Sequence, residues 1–146
     1  LRSGEETIVA TRIAKASRRA GPASGDLDVI LDVLFEDGML FLSVRNIGGR
    51  PALNVAVSFD EPISALGGAT DVAALPLFRN IEFLAPGREI RTLLDSSASY
   101  FARRQPEQIT ARISYRDGQG RRRTGTIRHD LRIYKAIAYL RKTSDT

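Results

Sequence analysis

From Leu27 to Ile133, apolar side chains recur at every second position, in short stretches broken by Gly, Pro, Asn and Asp. A period of two is the geometry of a strand, whose successive side chains leave opposite faces. Leu27, Val29, Leu31, Val33 and Phe35 alternate with Asp28, Ile30, Asp32, Leu34 and Glu36. The first set is wholly apolar and the second mixed, which predicts a strand with one buried face. Glu36-Asp37-Gly38 supplies a tight turn, and Met39 to Arg45 returns with Leu40, Leu42 and Val44 on one face. Two strands joined so closely must be antiparallel.

The same logic continues along the chain. Asn46 to Pro51 is a turn, followed by a strand in which Leu53, Val55, Val57 and Phe59 share the inside. Residues 60–76 hold Pro62, Gly67-Gly68 and Pro76 with little periodicity, which predicts a loop long enough to switch sheets in a Greek key. Ile81 and Phe83 flank Glu82 in a short strand, Ala85-Pro86-Gly87 turns, and Ile90, Thr92 and Leu94 mark the next strand. Asp95 to Pro106 is polar, with Tyr100 and Phe101 as isolated aromatics. Ile109, Ala111, Ile113 and Tyr115 face one way, and Gln108, Thr110, Arg112, Ser114 and Arg116 the other. Asp117-Gly118-Gln119-Gly120 joins this strand to a last one, with Ile127, His129, Leu131 and Ile133 of inward parity.

About seven strands without alternating helices predict an all-β fold, an immunoglobulin-like antiparallel β-sandwich, with a small barrel as the alternative. A short helix is expected at each end. Ser3-Gly4-Glu5-Glu6 has capping-box spacing, Val9, Ile13, Ala16 and Ala20 follow at helical spacing, and Gly21-Pro22 stops the run. Ile133, Ile137 and Leu140 suggest the second helix. The expected organisation is a helix and linker over 1–26 and a sandwich with a helical tail over 27–146.

The absence of Cys excludes a disulfide scaffold, thiolate zinc and a cysteine nucleophile, and the single His129 excludes a multi-histidine metal site within one chain. No apolar run approaches the length of a bilayer span, and no signal-peptide core opens the chain. Because the sequence starts at Leu1, it reads as a processed product or an excised piece of a longer protein. An anchor in a membrane by a segment outside this chain is favoured over a free cytoplasmic domain. Beside such an anchor, Arg2, Arg12, Lys15, Arg18 and Arg19 would favour the cytoplasmic side.

Catalytic constellations are not found. His129-Asp130 is the one His–acid neighbour pair, but neighbours on a strand face apart, so the histidine reads as structural. There is no G-x-S-x-G element for a serine nucleophile. Asp26, Asp28 and Asp32 do not converge on a tight turn as calcium ligands must, and Gly48-Gly49 and Gly67-Gly68 lack the spacing of phosphate loops. No enzyme, metal, cofactor or small-molecule substrate is expected.

Charge is the sharpest local signal. Residues 1–100 carry a net charge of −3 and residues 101–146 one of +8. Arg121, Arg122 and Arg123, with Arg103 and Arg104, are the candidate anion-binding patch, and Arg116 and Arg128 could extend it. The competing reading is an edge strand that charge keeps from pairing with another sheet.

The arrangement Asn46-x-Gly48-x-x-Pro51-Ala52-x-Asn54-Val55-x-Val57, then Leu84-Ala85-Pro86-Gly87, then Ile113-x-Tyr115-x-Asp117-x-x-Gly120, resembles bacterial and archaeal immunoglobulin-like surface modules of the CARDB type over about residues 27–134. The resemblance implies an extracytoplasmic, non-catalytic module. The expected function is a non-catalytic interaction or structural module with a protein partner. The alternative is binding of nucleic acid or an acidic lipid surface through the arginine-rich hairpin.

Overall fold

Nine strands and two short helices follow one another in the computed structural model, which describes residues 27–135 and 137. In chain order they are β1 (Val29–Glu36), β2 (Met39–Asn46), β3 (Ala52–Phe59), β4 (Ser64–Ala65), β5 (Thr70–Asp71), α1 (Pro76–Arg79), β6 (Ile81–Leu84), β7 (Glu89–Ser96), α2 (Ser97–Ala102), β8 (Gln108–Arg116) and β9 (Arg122–Asp130). The expected N-terminal helix and linker over 1–26 lie outside the described residues. So does most of the expected C-terminal helix, of which residues 132–135 and 137 are helical.

The fold is all-β and antiparallel. One sheet has the order β1-β2-β7, the second β6-β3-β8-β9, and β4 pairs with β5 in a small ladder. The alternation in the sequence sets which face each strand buries. Val29, Leu31, Leu40, Leu42, Val44 and Leu94 from the first sheet and Val55, Ile109, Ala111 and Ile113 from the second are at most 1% exposed and belong to one core. Burying a side chain of this kind stabilises the fold by roughly 1.5–3 kcal/mol, which is what holds the sheets against each other.

Turn chemistry fixes the register. Asp37 and Gly38 both take positive φ (52° and 80°), so β1 and β2 are joined by a two-residue turn whose twist matches the strands. The turn from β2 to β3 is pinned by Asn46, whose side chain is fully buried. Its Nδ2 donates to the carbonyls of Arg50 (2.8 Å) and Leu84 (3.1 Å), and its Oδ1 accepts from the Gly48 amide (2.9 Å). Its backbone exchanges bonds with Gly87 and Arg88, so one residue ties the β2–β3 turn to the β6–β7 turn. The amide of Ile47 donates to the Asp28 carbonyl at 2.7 Å, which brings the entry of β1 to the same end.

Four sequence expectations are corrected. Residues 60–80 do not switch sheets: they leave β3 and return to β6, which pairs with β3, and the switch falls in the short Ala85–Arg88 turn. That excursion is structured, since the β4–β5 ladder, two 3-10 turns and α1 bury Ile63, Val72 and Phe78. Leu53 does not share the inside with Val55. Asn54 takes φ 53° and the pairing to β8 shifts register there, so Ala52 is buried and Leu53 turns outward. Its partner Phe83 is likewise outward at 60% exposure, leaving Leu84 as the buried residue of β6. Finally, β9 ends at Asp130 and helical geometry begins at 132, so Leu131 is buried and Ile133 exposed.

Tyr100 and Asp95, read as parts of a polar connection, are buried. α2 is capped by Ser96, whose Oγ accepts from the Ser99 amide, and it drives Tyr100 into the core. Arg103, which follows, donates to Asp95 Oδ2 at 2.7 Å and to the side chain and carbonyl of Ser64. Asp95 also accepts from the Gly67 amide, so β4, β7 and α2 meet in one polar network.

Candidate functional site

β8 and β9 pair along their full length, and their outward residues form a single field. Arg116 lies directly opposite Arg122, Ser114 opposite Thr124, Arg112 opposite Thr126, Thr110 opposite Arg128 and Gln108 opposite Asp130. Arg112 and Arg128 are therefore diagonal neighbours. At roughly 3.3 Å per residue, Arg112 stands about 13 Å from Arg116 along β8 and Arg128 about 20 Å from Arg122 along β9. Arg112, Arg122 and Arg128 enter no ion pair among the described residues, and Arg116 only donates to the Gly120 carbonyl at 3.3 Å. Asp130, the one outward carboxylate on these strands, is taken by Arg132 at 2.8 Å. The row through Arg116 and Arg122 continues across the sheet to Leu53 and Phe83, which adds an apolar corner.

The outward face of the first sheet is built differently. There Arg91 reaches Glu36 at 3.2 Å and Glu89 at 3.4 Å and lies over the Phe41 ring, and Ser43 Oγ donates to Glu89 at 2.6 Å. The Ser43 bond and the Arg91 guanidinium outweigh desolvation and hold Glu89 below the usual carboxylate range. Balanced charge is what a merely solvated face needs, and the second sheet lacks it.

The five arginines singled out in the sequence do not gather. Arg103 is committed to Asp95 and Ser64 at the start of β8, and Arg104 beside it is exposed with φ 63°. Arg121, Arg122 and Arg123 lie at the other end of β8, about 30 Å away for a nine-residue strand. Strand parity then divides these three: Arg122 faces outward with Arg116, while Arg123 has the inward parity of Ile127.

Arg121 and Arg123 instead line a cleft of about 260 Å³ where the β8–β9 loop meets the β2–β3 turn, together with Asp28, Arg50, Tyr115 and Asp117. Asp117 organises it. Its Oδ1 accepts from the amides of Gln119 (2.8 Å) and Arg121 (2.9 Å), and Arg121 and Arg123 each stand 3.7 Å from its Oδ2. The Arg121 amide is the largest of the effects that lower the Asp117 pKa, against a smaller desolvation cost.

Residues 6–135 match the family model described as domain of unknown function (DUF8453). The chain belongs to the DUF8453 family. No curated protein matches it. In this DUF8453 chain no group of three or more His, Cys, Asp or Glu gathers among the described residues, and none of their helices is long and apolar enough to cross a membrane. His129 is engaged structurally: its Nε2 lies 2.7 Å from the carbonyl of Leu31 on edge strand β1, while Tyr134 Oη donates to Val33 at 3.2 Å. These two side chains cover carbonyls that edge strand β1 would otherwise present to another sheet. Asp130 turns to Arg132, so the His–Asp neighbours of the DUF8453 sequence diverge.

Sequence reasoning joined Arg116 and Arg128 to Arg122 in a candidate patch but left out Arg112, and it did not separate these outward residues from Arg103, Arg104, Arg121 and Arg123. The signal was parity: all four outward residues sit on the solvent phase of two strands flanking one turn. Arg50 carried no such signal, because it reaches the cleft from a turn far away in sequence.

Proposed function

We propose that the chain is an immunoglobulin-like β-sandwich that serves as a non-catalytic binding module, and that it meets an acidic protein partner with the outward face of β8 and β9. The strand orders β1-β2-β7 and β6-β3-β8-β9 support the immunoglobulin-like reading, with hairpins inside each sheet and a return between sheets at β6–β7. The observation that carries the function is the placement of Arg116 opposite Arg122 with no carboxylate between them. Like charges directly opposite destabilise a sheet. Guarding a sheet edge accounts for charge on β9, which is an edge strand, but not on β8, which is interior.

The make-up of the face favours protein over other anions. It carries arginine rather than lysine, beside the exposed Phe83 and the half-buried Leu53, and interface cores are enriched in Arg and aromatics and depleted in Lys. A single aromatic gives little stacking surface for nucleic-acid bases. The test is anisotropy with labelled poly-L-glutamate at low and high salt, beside single-stranded DNA and phosphatidylserine vesicles. Wild type is expected to bind the polypeptide in a salt-sensitive way, an Arg112→Glu/Arg128→Glu variant about tenfold or more weaker, and Arg88→Glu unchanged. Equal binding by the double variant, or binding to DNA or vesicles but not to the polypeptide, overturns the proposal.

A further inference from the structure

The cleft beneath the β8–β9 loop holds an unspent hydrogen-bond donor. Tyr115, the penultimate residue of β8, is only 3% exposed, yet it lines the cleft beside Asp28, whose amide its hydroxyl meets. That oxygen accepts from the Asp28 amide at 2.8 Å, but its own proton meets no acceptor among the described residues. A buried donor left unmatched carries a desolvation cost, so native structures seldom keep one without an external partner. Burial, first among the influences on it, raises the phenol above its ordinary pKa, so at neutral pH it remains a donor.

The neighbouring groups define what that partner carries. Arg50 is exposed and forms no ion pair among the described residues. It has room beside the loop because residue 118 is glycine: a Cβ there would stand 3.2 Å from Arg50 Cδ. Arg121 and Arg123 stand 3.7 Å from Asp117 Oδ2, beyond hydrogen-bonding distance, on the loop side of the cleft. At about 260 Å³ the cleft is smaller than the roughly 300–1,000 Å³ of a site that takes a whole small molecule.

We propose that this cleft binds one carboxylate group, with the Tyr115 hydroxyl donating to one oxygen and the Arg50 guanidinium pairing with the other. The carboxylate comes either on a small acid or on an acidic side chain or chain terminus of a peptide. The site does not depend on the arginine face, and its test separates the two. Nitrogen-15 spectra of the chain that include the Arg Nε–H signals are recorded during titration with glutarate and with an acetylated glutamate tetrapeptide, against sodium chloride at matched ionic strength. The expected result is saturable movement of the Arg50 Nε–H and Asp28 amide signals. Binding weakens about tenfold in Tyr115→Phe and in Arg50→Gln, the loss of a hydrogen bond to a charged group. It persists in Arg112→Glu/Arg128→Glu. Arg50→Gln alters an exposed side chain, so it reports on the site even if Tyr115→Phe is poorly folded. Tighter binding of the peptide than of glutarate identifies a partner-borne carboxylate, and equal binding a small acid; both support the site. Movement that follows ionic strength alone, or binding indifferent to Arg50→Gln, overturns it.

Discussion

Replacing Asn46 with alanine tests how the β2–β3 and β6–β7 turns are held together. The side chain is fully buried and makes three hydrogen bonds, to the carbonyls of Arg50 and Leu84 and from the amide of Gly48. At a net value of about 1 kcal/mol for each bond, removal costs about 3 kcal/mol, and the stranded Leu84 carbonyl pushes the loss upward. A domain of this size is stable by only about 5–15 kcal/mol, so the effect is large. Urea denaturation followed by far-ultraviolet circular dichroism measures it, as a lower midpoint at unchanged slope. Asn46→Asp sharpens the test. It keeps an acceptor for Gly48 but sets a carboxylate oxygen against two carbonyls, so it is expected to lose at least as much as alanine. A cost below about 1 kcal/mol for Asn46→Ala, or an Asp variant more stable than the Ala variant, refutes the reasoning.

Other outcomes follow from the same packing. Gly125→Ala places a Cβ 2.5 Å from Leu27 Cδ1 and is expected to destabilise by about 1–3 kcal/mol in thermal melts, with partial recovery when Leu27 is also shortened to Ala. For Asp95, burial pushes the pKa up, but Arg103, Ser99 and the amides of Gly67 and Ser96 outweigh it and hold the carboxyl below its ordinary value. Its contribution to stability is therefore present above the unfolded-state pKa and lost as pH falls through the folded one. Urea midpoints measured from neutral to acidic pH should drop less in Asp95→Asn than in wild type, and an equal drop contradicts the assignment. Arg103→Ala leaves Asp95 buried without its partner and is expected to cost about 3 kcal/mol by the same denaturation assay.

Much of the fold was legible because local pattern and tertiary burial agree in the long strands. The inward sets of β1, β2 and β8 could be read directly from alternation, and Asp37-Gly38 announced its turn. What could not be read depended on contacts distant in sequence. The bulge at Asn54 interrupts an apparently unbroken alternation, since asparagine tolerates positive φ without advertising it. Tyr100 looked isolated because its surroundings come from other strands, and Arg103 looked available because Asp95 and Ser64 reach it only in the folded chain. The five arginines do not come together, for a geometric reason. Adjacency in sequence gathered residues that a nine-residue strand separates, whereas parity across β8 and β9 assembles the face that is there.

The most direct test of that face is a paired measurement of stability and binding on Arg122→Glu. If Arg116 and Arg122 are an uncompensated pair kept for a partner, the variant gains about 0.5–1 kcal/mol in urea denaturation while its affinity for poly-L-glutamate falls. A variant that loses stability, or gains it with binding intact, contradicts the account.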